Sequence, residues 1–286
     1  MCQTEPEKNE DGRLMIMPRF RIGVCEWSFP PIGPSVCRMA AEAGLDGVEL
    51  DMGGIQEGMK LTSRRIRKMY AEEAKRTGIL YPALAMNVLG TCTLLHPEDA
   101  EERETVFELF DETLQAADEL EIPVIQVPSF YTNAMKDARD MEASAFYFSY
   151  ACKEAERYGI VIGTENTLHA EDQLRLLRMV GYPNFKIYFD TQNPVVFDAG
   201  NPAEMLRTLS GSVCQLHVKD GTEEQMGTMP LGEGKGLFRE SMRSIADSGY
   251  EGWIVLENEY KLYHQDNEER LKKDIASLRA ALGTAV

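Results

Sequence analysis

Four residues in the second half of the chain are of types that could act together. Glu165 closes the run IVIGTE, Asp190 closes KIYFD, His217 sits within QLHVKD, and Glu257 closes WIVLE. Each stands at or near the end of a short apolar stretch, where an ionised carboxylate is costly unless a cation or hydrogen bonds compensate it. One divalent metal would compensate all three acids. Oxygen donors with a single imidazole suit Mn²⁺ first, with Co²⁺, Mg²⁺ and Zn²⁺ as alternatives; this is not the thiolate-rich set of a structural zinc site. The competing reading is that each acid merely caps the next helix or pairs with a lysine. That is ordinary for one strand and improbable for four in succession.

For these residues to meet, the strands carrying them must lie side by side and point the same way. The chain supplies such a pattern in Phe20–Cys25, Gly47–Asp51, Tyr81–Asn87, Pro123–Val127, Ile160–Glu165, Lys186–Asp190, Val213–Lys219 and Trp253–Glu257. These runs alternate with amphipathic segments such as Glu101–Leu120, Ala145–Tyr158 and Leu237–Ser248, the signature of parallel βα units. Gly44, Gly78, Gly159 and Gly249 follow helical runs and precede strands, where a left-handed residue ends a helix cheaply. An open doubly wound sheet would share this alternation. It would also carry a glycine-rich phosphate loop after the first strand, and GVCEWSFPP is not one. A chain of 286 residues suits one (β/α)8 barrel of about 250 residues. The sequence therefore predicts a polar N-terminal tail over 1–19 and a single TIM barrel over 20–286, with strand ends converging on one mouth.

Composition excludes several partners. With 30 basic against 47 acidic side chains the net charge is −17, which repels nucleic acid and anionic membranes. The tail lacks the apolar core of a signal peptide, and no run reaches the length of a membrane span, so a cytoplasmic protein is expected. Cys2, Cys25, Cys37, Cys92, Cys152 and Cys214 are scattered without a CxxC pair and read as reduced thiols. His96, His169 and His264 lie in loop or polar contexts and read as solvated or structural. Homo-oligomer formation is compatible with all of this and is not fixed by it.

The motifs GLDGVELD, TEN, FDT, LHVKD, LGEGKGLF and GWIVLENE together resemble the xylose-isomerase-like barrels, a superfamily of sugar and sugar-phosphate isomerases and epimerases, ketose 3-epimerases and inosose dehydratases. The resemblance spans about Phe20 to Leu262. It implies a divalent-metal-dependent isomerase or epimerase whose partner is a small carbohydrate. In the ketose 3-epimerases the residues matching Glu165 and Glu257 are both metal ligands and the acid/base pair. One would remove the proton next to a metal-polarised carbonyl, giving a cis-enediolate, and the other would return a proton to the opposite face. Glu171 stands where those enzymes use a substrate-touching glutamate, and Asn193 where many carry a substrate-binding histidine. An arginine that follows their histidine ligand is replaced by Glu223.

Lys219 and Asp220 instead match the inosose dehydratase and general isomerase branches, with Lys219 placed to hold a substrate oxygen or only to pair with a carboxylate. Trp27 could stack on a sugar ring, and Glu26, Glu49 and Asn87 could line the pocket. The stretch Leu231–Gly236 looks like a flexible loop closing over the mouth. Its amides and Lys235 could bind phosphate, although Glu233 opposes that. A lyase acting on an inosose-type ketone or an oxidised sugar is the alternative reaction class, and a non-catalytic sugar-binding barrel the alternative outside catalysis.

Overall fold

The computed structural model describes residues 19–30, 32–53 and 58–283, without the side chains of 263–265. Eight parallel strands close into a barrel in sequence order. They are β1 (Phe20–Cys25), β2 (Gly47–Asp51), β3 (Leu84–Ala85), β4 (Val124–Ser129), β5 (Val161–Asn166), β6 (Phe185–Asp190), β7 (Val213–Val218) and β8 (Gly252–Leu256). Closure is through β1 and β8, from Phe20 opposite Gly252 to Val24 opposite Leu256. The expected tail, apart from Arg19, lies outside the described residues.

Around the strands lie α1 (Val36–Glu42), α2 (Arg64–Thr77), α3 (Ala100–Glu119), α4 (Ala138–Ala155), α5 (Ala170–Val180), α6 (Asn193–Val196), α7 (Pro202–Thr208), α8 (Phe238–Asp247) and α9 (Asn267–Leu282). Their apolar stripes pack on the barrel, with Val106, Phe110 and Leu114 of α3 and Leu271, Ile275 and Leu278 of α9 buried. Among the described residues no helix is long and apolar enough to cross a membrane. The five described cysteines are unpaired.

Strand limits follow the apolar runs closely, with one large exception. Tyr81–Asn87 yields only the two residues of β3, and Pro82, having no N–H to donate, interrupts the run expected to form that strand. The helix expected from Ala145 begins at Ala138, because the Asp137 carboxylate accepts from the Arg139 and Asp140 amides at 2.8 and 3.0 Å. Gly78 takes φ 78° and Gly159 φ 68°, the left-handed stop that the sequence required of them.

Candidate metal centre

Because all strands run the same way, the ends of β5 to β8 open on one face, and Glu165, Asp190, His217 and Glu257 converge there. A potential ligand atom from each lies within 4.8 Å of the other three. Register explains the convergence: Asp190 pairs with His217 across β6 and β7, and His217 with Val255 across β7 and β8. Glu165 and Asp190 are buried, and His217 is wholly so.

Each side chain is oriented by its own partners. Asp190 Oδ1 accepts from the Gln192 and Asn193 amides at 2.8 and 2.6 Å, which turns Oδ2 toward the centre. Glu165 Oε1 accepts from Asn193 Nδ2 at 2.7 Å, and Oε2 accepts from Gln126 Nε2. The Trp27 indole donates to Glu257 Oε1 at 3.1 Å. Lys219 Nζ donates to Glu257 Oε2 at 2.6 Å and lies 3.2 Å from Asp190 Oδ2. His217 Nε2 lies 2.8 Å from Glu49 Oε2, while Nδ1 faces Glu165 and Glu257 at 3.5 and 3.4 Å.

The electrostatics are those of crowded acids around few cations. Burial raises the Asp190 carboxyl to about 6 against the pull of Lys219, with Glu165 and Glu257 adding to the rise. At Glu257 burial acts the same way, but Lys219, His217 and the Trp27 indole outweigh it and hold the group down to about 2. Lys219 is stabilised as ammonium because Asp190, Glu257 and Glu165 overcome the cost of its burial. Surrounding anions likewise favour a positive charge on His217 despite its burial.

A cation suits this arrangement on two observations. His217 Nδ1 is buried with no hydrogen-bond partner among the described residues, and the donors are three carboxylates and one imidazole. Glu165, Asp190, His217 and Glu257 are the residues that would hold such an ion, in place of the Lys219 ammonium that now lies against Glu257 Oε2 and Asp190 Oδ2. The other histidines stand apart from it. His96 is exposed beside Glu98, His169 Nδ1 bonds to the Ala199 carbonyl at 2.7 Å, and the side chain of His264 lies outside the described residues.

Of the remaining predicted residues, Asn193 and Lys219 touch the proposed ligands directly and Trp27 does so through its indole N–H. Glu171 lies exposed in the first turn of α5. Glu26 is held by Lys60 at 2.7 Å and by the Tyr70 hydroxyl, and Asn87 is exposed. Gln126, Gln192 and Tyr188 escaped the sequence reading. Gln126 was findable, since a glutamine inside the apolar run PVIQV needs a buried partner.

The glycine-rich loop departs from expectation. Amides of Gly221, Gly232, Gly234 and Gly236 all donate to the Asp220 carboxylate, at 2.9, 2.9, 3.1 and 2.9 Å. The glycine amides that could have bound phosphate are occupied by an internal anion, and Lys235 is exposed. Gln192 adds two further ties, to the Thr222 carbonyl and the Gly227 amide. The loop is strapped to the end of β7. At Gly234 the backbone runs against the Asp220 carboxylate so closely that no Cβ fits.

A closed parallel barrel with buried carboxylates and an imidazole gathered at the carboxyl ends of its strands defines a class of (β/α)8 barrels with a polar centre at the mouth. Within it, this chain belongs to the xylose isomerase-like TIM barrel family, which matches residues 37–281. It is 32% identical over 263 residues to the 2-epi-5-epi-valiolone 7-phosphate 2-epimerase of an Actinoplanes species, covering 91% of this chain and 94% of that one. It is 25% identical over 232 residues to the L-ribulose-5-phosphate 3-epimerase UlaE of Shigella flexneri, covering 77% and 80%. Among solved structures, a D-psicose 3-epimerase determined in the presence of D-fructose superposes with TM-score 0.75 at 18% identity, over 92% of this chain and 99% of that one. The IOLI protein with a bound zinc atom superposes with TM-score 0.73 at 14% identity, over 92% and 98%.

Proposed function

We propose that this protein is a divalent-metal-dependent epimerase or isomerase of a sugar, sugar phosphate or related cyclic ketone. The observation that carries the reading is the convergence of Glu165, Asp190, His217 and Glu257 from four consecutive strands, with His217 Nδ1 left without a hydrogen-bond partner among the described residues. Relatives named as epimerases of two phosphorylated substrates support the reaction class.

When bound, the ion supplies Lewis-acid polarisation of the substrate carbonyl. The chain's own residues move the protons. Glu165 and Glu257 face the centre from β5 and from the end of β8, on either side of His217. One takes the proton from the carbon next to the carbonyl, and the C–H pair of electrons moves into an enediolate. The other delivers a proton to the opposite face of that carbon, and the two carboxyls reset by exchange with water. Asn193 and Gln126 hold Glu165, Trp27 and Lys219 hold Glu257, and each pair fixes a carboxylate for in-line proton transfer. Asn193 Oδ1, buried without a partner among the described residues, would receive a substrate hydroxyl. Glu171 would contact the distal end of the substrate.

Lys219 favours one second reading. An ammonium 2.6 Å from Glu257 could protonate a leaving hydroxyl, which makes elimination the alternative outcome of the same enediolate.

The test is incubation of Mn²⁺-loaded protein in D₂O with free ketoses, ketose phosphates and cyclitol ketones. Deuterium should appear at the inverted carbon, and Glu165→Gln and Glu257→Gln should each abolish it. Release of water or of a larger group would transfer the assignment to the lyase. No exchange with any of these substrates under Mn²⁺, Co²⁺, Mg²⁺ or Zn²⁺ would refute the reading.

A further inference from the structure

Beneath the four candidate ligands lies a polar layer that proton transfer does not use. Glu49, on β2, is wholly buried. Its Oε2 lies 2.8 Å from His217 Nε2 and accepts from the Tyr188 hydroxyl at 2.6 Å. The Cys25 thiol sits 4.0 Å from the same oxygen and 3.5 Å from His217 Nε2. A carboxylate in such surroundings costs free energy unless its bonds return something to the fold or to the site.

The chemistry of imidazole says what it returns. A neutral ring carries one proton on one of two nitrogens, and only the other nitrogen can bind a metal. A carboxylate accepts and does not donate. In the neutral ring that metal binding requires, the carboxylate at 2.8 Å keeps the proton on Nε2, and the lone pair falls on Nδ1, the nitrogen that faces Glu165 and Glu257. Tyr188 closes the arrangement from the far side, since its hydroxyl proton has Glu49 as acceptor and so fixes the carboxylate in turn. Tyr188 and His217 also pack ring against ring at 4.5 Å, so a rotation of the imidazole would have to displace the phenol.

We infer that Glu49 is a positioning residue of the metal centre. Through the Nε2–H bond it selects the tautomer of His217, orients the ring, and raises the basicity of Nδ1, with Tyr188 as its anchor. On this inference Glu49 acts through His217 rather than as a ligand of the four-residue centre. This inference rests on the metal reading above and extends it to a residue on the opposite side of the barrel.

The test reads metal binding and ring chemistry rather than turnover. Co²⁺ affinity is measured by chelator competition for wild type, Glu49→Gln, Glu49→Ala and Tyr188→Phe, with thermal melts of each. Affinity should fall about ten- to hundredfold in both Glu49 variants and by less in Tyr188→Phe. Glutamine keeps the shape of the side chain but can donate to Nε2 and so permit the wrong tautomer. In the Zn²⁺-loaded wild type, ¹⁵N spectra of the histidines should show His217 protonated on Nε2 and metal-bound through Nδ1. That measurement needs no variant, so a failure of Glu49→Ala to fold leaves the inference exposed to it. Folded Glu49 variants with wild-type Co²⁺ affinity, or a ring bound through Nε2, would overturn the role given to Glu49 alone. A wild type that binds no divalent ion would instead bring down the metal reading itself.

Discussion

Asp220→Ala should loosen the glycine-rich loop while leaving the barrel folded. The carboxylate is 1% exposed and accepts four backbone N–H bonds, from Gly221, Gly232, Gly234 and Gly236. A hydrogen bond to a charged group contributes roughly 1.5–3 kcal/mol net. The bonds from Gly232 and Gly234 are only partly buried, so water can replace them. Those from Gly221 and Gly236 are buried, but Gly221 adjoins Asp220 in the chain, so of the two only the Gly236 bond ties the loop, and losing it costs about 1.5–3 kcal/mol. The loss falls on loop closure, because the strand pairing between β7 and β8 does not depend on it. At the lower bound the open loop becomes about tenfold more populated. Lys235 lies between two of the anchored glycines and offers trypsin a cleavage site that the strapped loop withholds. Limited trypsinolysis followed by mass spectrometry should therefore show cleavage after Lys235 at least tenfold faster in Asp220→Ala. Formate, which can occupy the space of the deleted carboxylate, should slow it again. Cleavage at the wild-type rate in the variant would refute the claim that this nest holds the loop.

Two other changes probe the centre itself, and a third probes the acid that ends β2. Asn193→Leu removes the 2.7 Å bond to Glu165 Oε1, a loss of about 1.5–3 kcal/mol, so kcat for proton exchange in D₂O should drop by one to two orders of magnitude. Trp27→Phe deletes the N–H that Glu257 Oε1 accepts at 3.1 Å, and its kcat/KM should fall about tenfold with the melting temperature nearly unchanged. Burial raises the Asp51 carboxyl from 3.8 to about 6 in spite of the Gly53 amide and Lys60. Its contribution to stability is therefore complete below pH 4 and is lost as pH rises through 6, by about 3 kcal/mol in all. Asp51→Asn should match wild type in urea unfolding at pH 4 and exceed it at pH 8, and a constant difference between the two pH values would contradict that assignment.

What the sequence disclosed and what it withheld divide along a physical line. Strand ends are legible because an acid at the end of an apolar run is anomalous wherever the chain goes. Glu165, Asp190 and Glu257 announce themselves in this way, and their convergence follows from barrel topology alone. Helix stops are legible at Gly78 and Gly159, since a backbone conformation restricts the residue type. The partners of the ligands are another matter. Gln126 and Glu49 reach the centre from β4 and β2, Tyr188 from within β6, and nothing local in PVIQV, GVELD or KIYFD says which side chain each will meet. Asp220 is harder still. LGEGKG advertises free amides, and only the three-dimensional path shows that a carboxylate upstream of it in the chain already fills them. A glycine-rich segment beside a buried acid is therefore ambiguous between a ligand nest and a self-anchored strap. The difference bears on substrate choice, because an anionic end of the substrate would have to find its donors elsewhere on the mouth.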